Sequence, residues 1–572
     1  MKHLLPAVLL LVFAFAMSCA NQSSPTGGPK DTIPPTLIHS KPLHKTVNYT
    51  GQDFTLTFDE RVSADRIKQN LIITPYIENP YKFKVKKNTV ILQFEEPFDS
   101  ATTYTLNFAE GIGDITEKNP PVNLKLAFST GPILDSIYLK GYVHDLYTNA
   151  PIKEALVSLY SEEDTIDAFT GKPRYFTKTD EEGLFTIENI KNGKYKLYAF
   201  MDANNNMKIE PSDELHGFKS GYIDLNQSVD EIKIPVQIID SRELKLSRGK
   251  STGRYFDVLY NKFLSKYLIK PLENKPLPLP KTNLISENQT IRFYKPNKFK
   301  YERDSLGLII QVFDSLENNR QDTLYVKFKE SKRKPATFEY TMVPAASYRL
   351  EDSLKITIDF TKPITSYSTD SISLNYDTLL IEYLTEEVFS WNQDFTKFHV
   401  KTPVNKNVFP DLIDSLLLNY QDTTNTDSIF FTEKSYLMNV DTSLINFNIP
   451  AAAFVSVEND TTKAITRGYL FKNSTASGII SGTITSTSSN FTLQLVDPSY
   501  KIIQSTDSKT TYKFKDIEPG KYTFRILIDD NADGEWSSGN IIEDIEPESI
   551  YFYPEVFDVR ANWELENVNI QF

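Results

Sequence analysis

The sequence predicts an all-β protein, a tandem series of β-sandwiches with an internally duplicated arrangement. Three observations carry that prediction. Aromatic residues make up 12% of the 572-residue chain, including 37 Phe and 31 Tyr, and aromatic side chains favour half-buried pleated surfaces. Short runs such as DFTLTF (53–58) and TVILQF (89–94) alternate apolar with polar residues, the period-two pattern of a strand with one buried face. Finally, FTIENIKNGKYKLYAFMDANNN (185–206) aligns without a gap on YKFKDIEPGKYTFRILIDDNAD (512–533), setting Gly193 over Gly520, Tyr195 over Tyr522 and Asp202 over Asp529. A fixed offset held over that distance is the mark of a repeated module.

The chain is too long for one hydrophobic core, so several domains are expected. Its net charge of −13 is spread without a basic block, which argues against sequence-independent binding to nucleic acid. At the start, MKHLLPAVLLLVFAFAMSCA has a basic residue, Lys2, then an apolar stretch too short for a comfortable membrane span and ending at Cys19, the single cysteine. Ala16-Met17-Ser18-Cys19 resembles the lipobox of bacterial lipoproteins, with Ala16 where Leu is usual. That resemblance implies a signal peptide at 1–18 and lipidation of Cys19. Acyl chains then anchor the protein by burial of their methylenes. Residues 19–32, rich in Ser, Pro and Gly, read as a flexible tether. Ala20 stands where an Asp would favour inner-membrane retention, so the expected address is the outer membrane, with the leaflet left open.

Five modules follow. In the first, 33–131, DFTLTFDERV, NTVILQFEEPF and TYTLNFAEGIGD resemble the bacterial Ig-like domain of S-layer and surface proteins. In the second, 137–236, YLKGYVHD, EALVSLYS and EEGLFTIENIKNGKYKLYAF resemble the prealbumin-like or carboxypeptidase-regulatory-like sandwich, an appendage without protease chemistry. Gly193 there suits a turn with positive φ. Residues 239–335 carry strand-like runs, among them GLIIQVFD and DTLYVKFK, around a Pro-rich loop at 275–282. They read as a third sandwich, in which YNKFLSKYLIKPL (260–272) is either a short amphipathic helix or an irregular edge. The fourth module, 342–470, echoes the first through DSLKITIDFTKPI, FTKFHVKTPV and SLINFNIPAAA, as a diverged second Ig-like domain. The fifth, 476–572, opens with GIISGTITST, its Gly482 answering Gly141, and is a second prealbumin-like sandwich. The earlier copy carries the longer insertion, at about 161–178.

One loop holds candidate metal ligands. Asp529, Asn531 and Asp533 occupy positions one, three and five, Gly534 six, Glu535 seven and Asn540 twelve of a calcium-loop spacing. Position twelve ordinarily supplies a bidentate Glu, which Asn540 cannot, leaving Glu543 or Asp544 to fold back. A second reading stays open, in which the Asx side chains merely cap their own backbone in a turn. The earlier copy is poorer, with Met207 in place of the glycine and Asp213 at twelve. The segment from Asp529 to Gly539, the tail YFYPEVFDVRANWELE and the PTGGPKDTIPP start also resemble a family of Bacteroidota lipoproteins, which implies a lineage and an envelope address.

Catalytic signals are sparse. The six histidines show no metal-helix pair, and the nucleophile elbow, P-loop and dinucleotide fingerprints are missing. Asp59-Glu60 and Glu95-Glu96 follow strands and read as solvated rims. The sequence therefore points away from an enzyme, needing no cofactor and offering calcium as its one candidate ion. The expected role is a binding or scaffold lipoprotein with envelope protein partners, including an accessory role in outer-membrane protein assembly or secretion. The alternative is glycan capture at the cell surface, with Trp391, Trp536 and Trp563 as candidate stacking rings.

Overall fold

The structure, a computed structural model, describes residues 30–273, 278–295, 305–329, 332, 334–350, 353–376, 380–404, 444–471, 477–507 and 509–572. Cys19, the signal segment, most of the tether and part of the Pro-rich loop lie outside the described residues. Two compact units form. One comprises the described residues up to Asp145 with Ala150–Glu210 and Glu214–Gln237; the other comprises Leu146–Asn149, Pro211–Asp213 and the described residues from Ile238 onward. No described helix is long and apolar enough to cross a membrane.

In the first unit, Asp53–Phe58 pairs antiparallel with Leu37–Lys41 and with Thr89–Phe94, and Tyr81–Lys86 closes that sheet. Period-two patterning does what it predicts, because Phe54, Leu56 and Phe58 are wholly buried while the threonines between them face outward. They pack on an opposing sheet of Ile72–Thr74, Thr103–Asn107 and Lys125–Ser129. The centre is a set of mostly edge-on and tilted rings around Phe54, Phe98 and Phe128, with centroids 5.0–5.8 Å apart, a geometry that adds to simple burial.

The second sandwich sets Leu156–Ser161 between Tyr175–Lys178 and Gly193–Phe200. Its first strand, Ile137–Asp145, pairs antiparallel with Leu184–Ile190 and parallel with the last, Val229–Ile238. Here one expectation is corrected. Gly193 does not take positive φ; the left-handed residues are Asn189 (φ 58°) and its counterpart Asp516 (φ 57°). Asx side chains tolerate that region, so the turn needs no glycine. The pairing of Gly141 with Gly482 has a different cause. A Cβ at Gly141 would lie 2.0 Å from the Ile232 carbonyl oxygen, and one at Gly482 would lie 2.1 Å from that of Val568.

In the second unit, residues 246–326 form two facing sheets. One is Leu246–Thr252, Tyr255–Tyr260, Thr290–Tyr294 and Thr282–Ile285; the other is Lys266–Pro271, Leu306–Phe313 and Asn319–Val326. Of the two readings of 260–272 the helix gives way here: Lys266–Pro271 is the edge strand of its sheet, and its pairing with Leu306–Phe313 is regular where an irregular edge was expected. Just before it, Lys262 is internal, 2.6 Å from the equally buried Asp314, and donates to the carbonyls of Asp240 and Arg242.

The next sandwich repeats the connectivity of the first. Tyr340–Val343, Ser353–Phe360, Lys397–Pro403 and Phe389–Trp391 follow the order seen from Leu37 to Phe94, and Ser373–Tyr376, Leu444–Ile449 and Ile465–Phe471 build the opposing sheet. The last repeats the second: Phe491–Val496 lies between Ile502–Asp507 and Gly520–Ile528, and Gly478–Thr485 has the closing segments Glu564–Leu565 and Ile570–Gln571 parallel to it.

Candidate functional site

The loop after Gly520–Ile528 is organised by carboxylates that take backbone N–H groups. Asp529, 7% exposed, accepts at Oδ2 from the Gly534 N–H (2.9 Å) and the Asn490 side chain (3.2 Å). Its Oδ1 is buried and has no hydrogen-bond partner. Burial pushes the Asp529 carboxyl up, yet the Gly534 N–H and the Asn490 amide outweigh it and hold the group below the usual aspartate range. Asn531 Oδ1 accepts from Asp533 N–H and Asp533 Oδ1 from Glu535 N–H, with Asn531, Asp533 and Glu535 all exposed. Gly534 takes φ +101° in open space, as the turn reading requires. Asn540 turns its amide elsewhere, its Oδ1 accepting from Ile542 N–H and its Nδ2 donating to Asn318. Among the described residues no three His, Cys, Asp or Glu side chains group as a metal cage.

The duplicate loop is closed on itself. Asp202 Oδ1 accepts from Asn206 N–H at 2.9 Å and Oδ2 from Met207 N–H at 3.0 Å. Met207 sits where Gly534 does in the other copy and takes φ 62° despite its side chain. Both loops end on a glutamate that the sequence reading passed over. Glu548 accepts from Asp530, Asn531 and Ser537 N–H groups, and Glu214 from Ala203 and Glu210. Burial raises the Glu214 pKa. The available signal was an acid just upstream of the next strand in each copy, Leu215–Phe218 and Ile550–Phe552.

Side-chain locks join neighbouring sandwiches within each unit. In the first unit the insertion after Leu156–Ser161 reaches the Ig-like module: Lys172 Nζ donates to Tyr76 (2.6 Å) and Glu78 (2.9 Å), and Tyr76 N–H donates to the Arg174 carbonyl. Lys125 pairs with Glu188 at 2.7 Å and Asn189 donates to Thr105. In the second unit Lys362, wholly buried, bridges Glu458 (2.8 Å) and Asp460 (2.7 Å). Glu458 also accepts from Tyr255 (2.8 Å) and Arg254 (3.2 Å), which tie in the preceding sandwich. Burial works against the Lys362 charge, but its two carboxylate partners prevail and raise its pKa.

Beside this junction lies a cleft of about 340 Å³ lined by Tyr267, Asn283, Asp359, Asn392, Asp394 and Lys397, among others. Asn283 is 3% exposed and its Oδ1 has no partner. The tryptophans divide. Trp391 is packed against Phe398 and Phe454, Trp536 is half-buried, and Trp563 is 54% exposed beneath Arg560. Asp59, Glu95 and Glu96 are exposed at strand ends, and Asp59 accepts from Thr36 N–H.

Residues 31–130 match the model of the family described as bacterial Ig-like domain. No curated protein matches the sequence. Among solved structures, the S-layer protein rSbsC(31-844) is 11% identical, with 84% of this chain and 63% of that chain covered and a TM-score of 0.14. BcpA, the major pilin subunit of Bacillus cereus, is 12% identical, with 77% and 99% covered and a TM-score of 0.12. A streptococcal ancillary pilin is 14% identical, with 44% and 81% covered and a TM-score of 0.14. The chain thus spans less than two thirds of the S-layer structure, and scores of this size carry no argument about role. The protein is an all-β array in which residues 31–130 are similar to the bacterial Ig-like domain.

Proposed function

We propose that this protein is a non-catalytic scaffold of the bacterial cell envelope, held to the outer membrane through lipid on Cys19 and presenting its sandwiches to an envelope protein partner. An accessory role in outer-membrane protein assembly or secretion fits that reading. The observation that carries it is the locking of adjacent sandwiches inside each unit by side-chain contacts, above all Glu458 with Tyr255 and Arg254 in the second unit and Lys172 with Tyr76 and Glu78 in the first. Flexible linkers would leave neighbouring binding surfaces uncoordinated, whereas ordered junctions hold them in fixed register. The buried Asp114 carboxylate serves a turn, accepting from the N–H groups of Glu117, Lys118 and Asn119.

Cross-linking in intact cells followed by purification of the protein tests this. Recovery of an envelope protein at fixed ratio is the expected outcome, together with loss of membrane association in Cys19→Ala. Recovery of the chain alone counts against it. Glycan capture is the second reading, favoured by the polar cleft and the unpartnered Asn283 Oδ1 within it. A glycan array giving hits that Asn283→Ala abolishes would move the assignment there.

A further inference from the structure

We infer that the loop from Asp529 to Asn540 binds a single calcium ion, while its duplicate beginning at Asp202 is a metal-free turn. This does not rest on the scaffold reading. The two loops align in sequence and differ first in how their leading carboxylate is satisfied. Asp202 has both carboxylate oxygens taken by N–H groups of its own loop. Asp529 has one oxygen taken and the other, Oδ1, buried without any donor. Buried polar atoms are nearly always satisfied, and an ionised oxygen left bare inside a protein costs more than a neutral one. Water could satisfy a single lone pair, but the neighbouring groups favour a cation.

Those groups all carry oxygen. Oδ2 of Asp529 is fixed by Gly534 N–H, which places the carboxylate inside the turn that also carries Asn531 and Asp533. The Asn531 and Asp533 side chains are exposed, each accepting one N–H at Oδ1, and each such oxygen keeps a second lone pair. The Glu535 carbonyl stands at position seven, where a calcium loop uses backbone oxygen. Glu548, 9% exposed, pins the entry of the loop through three backbone N–H groups and adds negative charge beside it, replacing Asn540 as the acid that closes the loop. With no His or Cys in the segment, a hard ion taking six to eight oxygens is the fitting ligand. The duplicate keeps a closing glutamate, Glu214, but its fifth position is the neutral Asn206 and its sixth is Met207 instead of glycine.

Terbium luminescence on the full chain tests the assignment, because Trp536 lies inside the loop as a built-in sensitiser. Expected is a saturable signal, competed away by calcium in the range of about 0.1–1 mM typical of extracellular modules and not by equal magnesium. Asp529→Asn, whose amide oxygen can still accept from Gly534 N–H, should weaken calcium competition at least ~10-fold, and Asp202→Asn should leave it within about twofold. Asp533→Asn, at an exposed position, gives the same loss without touching the buried carboxylate. Trp536→Phe should abolish luminescence while a calcium-dependent rise in Tm remains. No saturable signal, or equal losses from Asp202→Asn and Asp529→Asn, would overturn the inference.

Discussion

Lys362 lies inside the fourth sandwich and holds the acid pair from which Glu458 reaches Tyr255 and Arg254 of the preceding one. With Glu458 and Asp460 as its partners and no exposure of its own, its removal leaves Asp460 without its cation and the 10% exposed Glu458 with Arg254 alone. Lys362→Met should therefore destabilise the second unit by about 3–5 kcal/mol in chemical denaturation. The pH dependence follows from the directions of shift. The raised Lys362 pKa contributes stability that is complete below the ordinary lysine value and is lost as pH rises through its folded value. The depressed Asp460 pKa, where burial is outweighed by the Lys362 and Ser456 contacts, contributes stability present above the ordinary aspartate value and lost as pH falls through the folded one. Two histidines add an acid limb. Burial, aided by Lys233 and opposed by Asp145, lowers His144 to about 4, and burial also lowers His216. Both groups stabilise the fold above the ordinary histidine value of about 6.5, and that contribution falls away as pH drops toward their folded values. Melting temperatures of His144→Gln and His216→Gln, followed from pH 7 to 4, should decline less steeply than those of the parent.

Among the elements, the glycines separate two kinds of constraint that look alike in sequence. Gly141 faces the backbone of the parallel strand Val229–Ile238 and Gly482 that of the segment between Glu564–Leu565 and Ile570–Gln571, with no room for a methyl group, so alanine at either should cost about 1–3 kcal/mol by overpacking. Gly193 and Gly520 meet only the ring of the tyrosine two residues on, at 3.4 and 3.3 Å, and neither has positive φ. Alanine there should change stability by less than about 1 kcal/mol, measurable in the same denaturation series. Met207→Gly should gain about 1 kcal/mol by relieving a left-handed backbone at a long side chain. The strands themselves were legible: DFTLTF and TVILQF bury every second residue, as their alternation requires. The 260–272 segment was not, because its lysines and apolar residues fit a helical face as well as an edge strand, and pairing with the distant Leu306–Phe313 decides between them.

At the scale of the whole molecule, duplication was readable wherever it left residues at a constant offset, as with Asp202 and Asp529, and the strand orders of the paired sandwiches agree with it. Contacts across junctions were not readable. Arg254 with Glu458, or Lys172 with Glu78, joins residues far apart in the chain, and nothing local distinguishes those charges from solvated ones. The same holds for the candidate loop: its Asx spacing was plain, while the bare oxygen that separates one copy from the other exists only once the fold has closed around it.

The parallel neighbours that open and close the second sandwich have a mechanical meaning. Since Ile137–Asp145 and Val229–Ile238 run the same way side by side, the chain enters that module at one pole and leaves at the other. Tension between its ends loads the shared hydrogen bonds together, in shear, instead of opening them one at a time. In the last sandwich the same role falls to two short segments, Glu564–Leu565 and Ile570–Gln571. Pulled in a force spectrometer, the second module should yield at the higher force of the two, making it the stronger link of the pair.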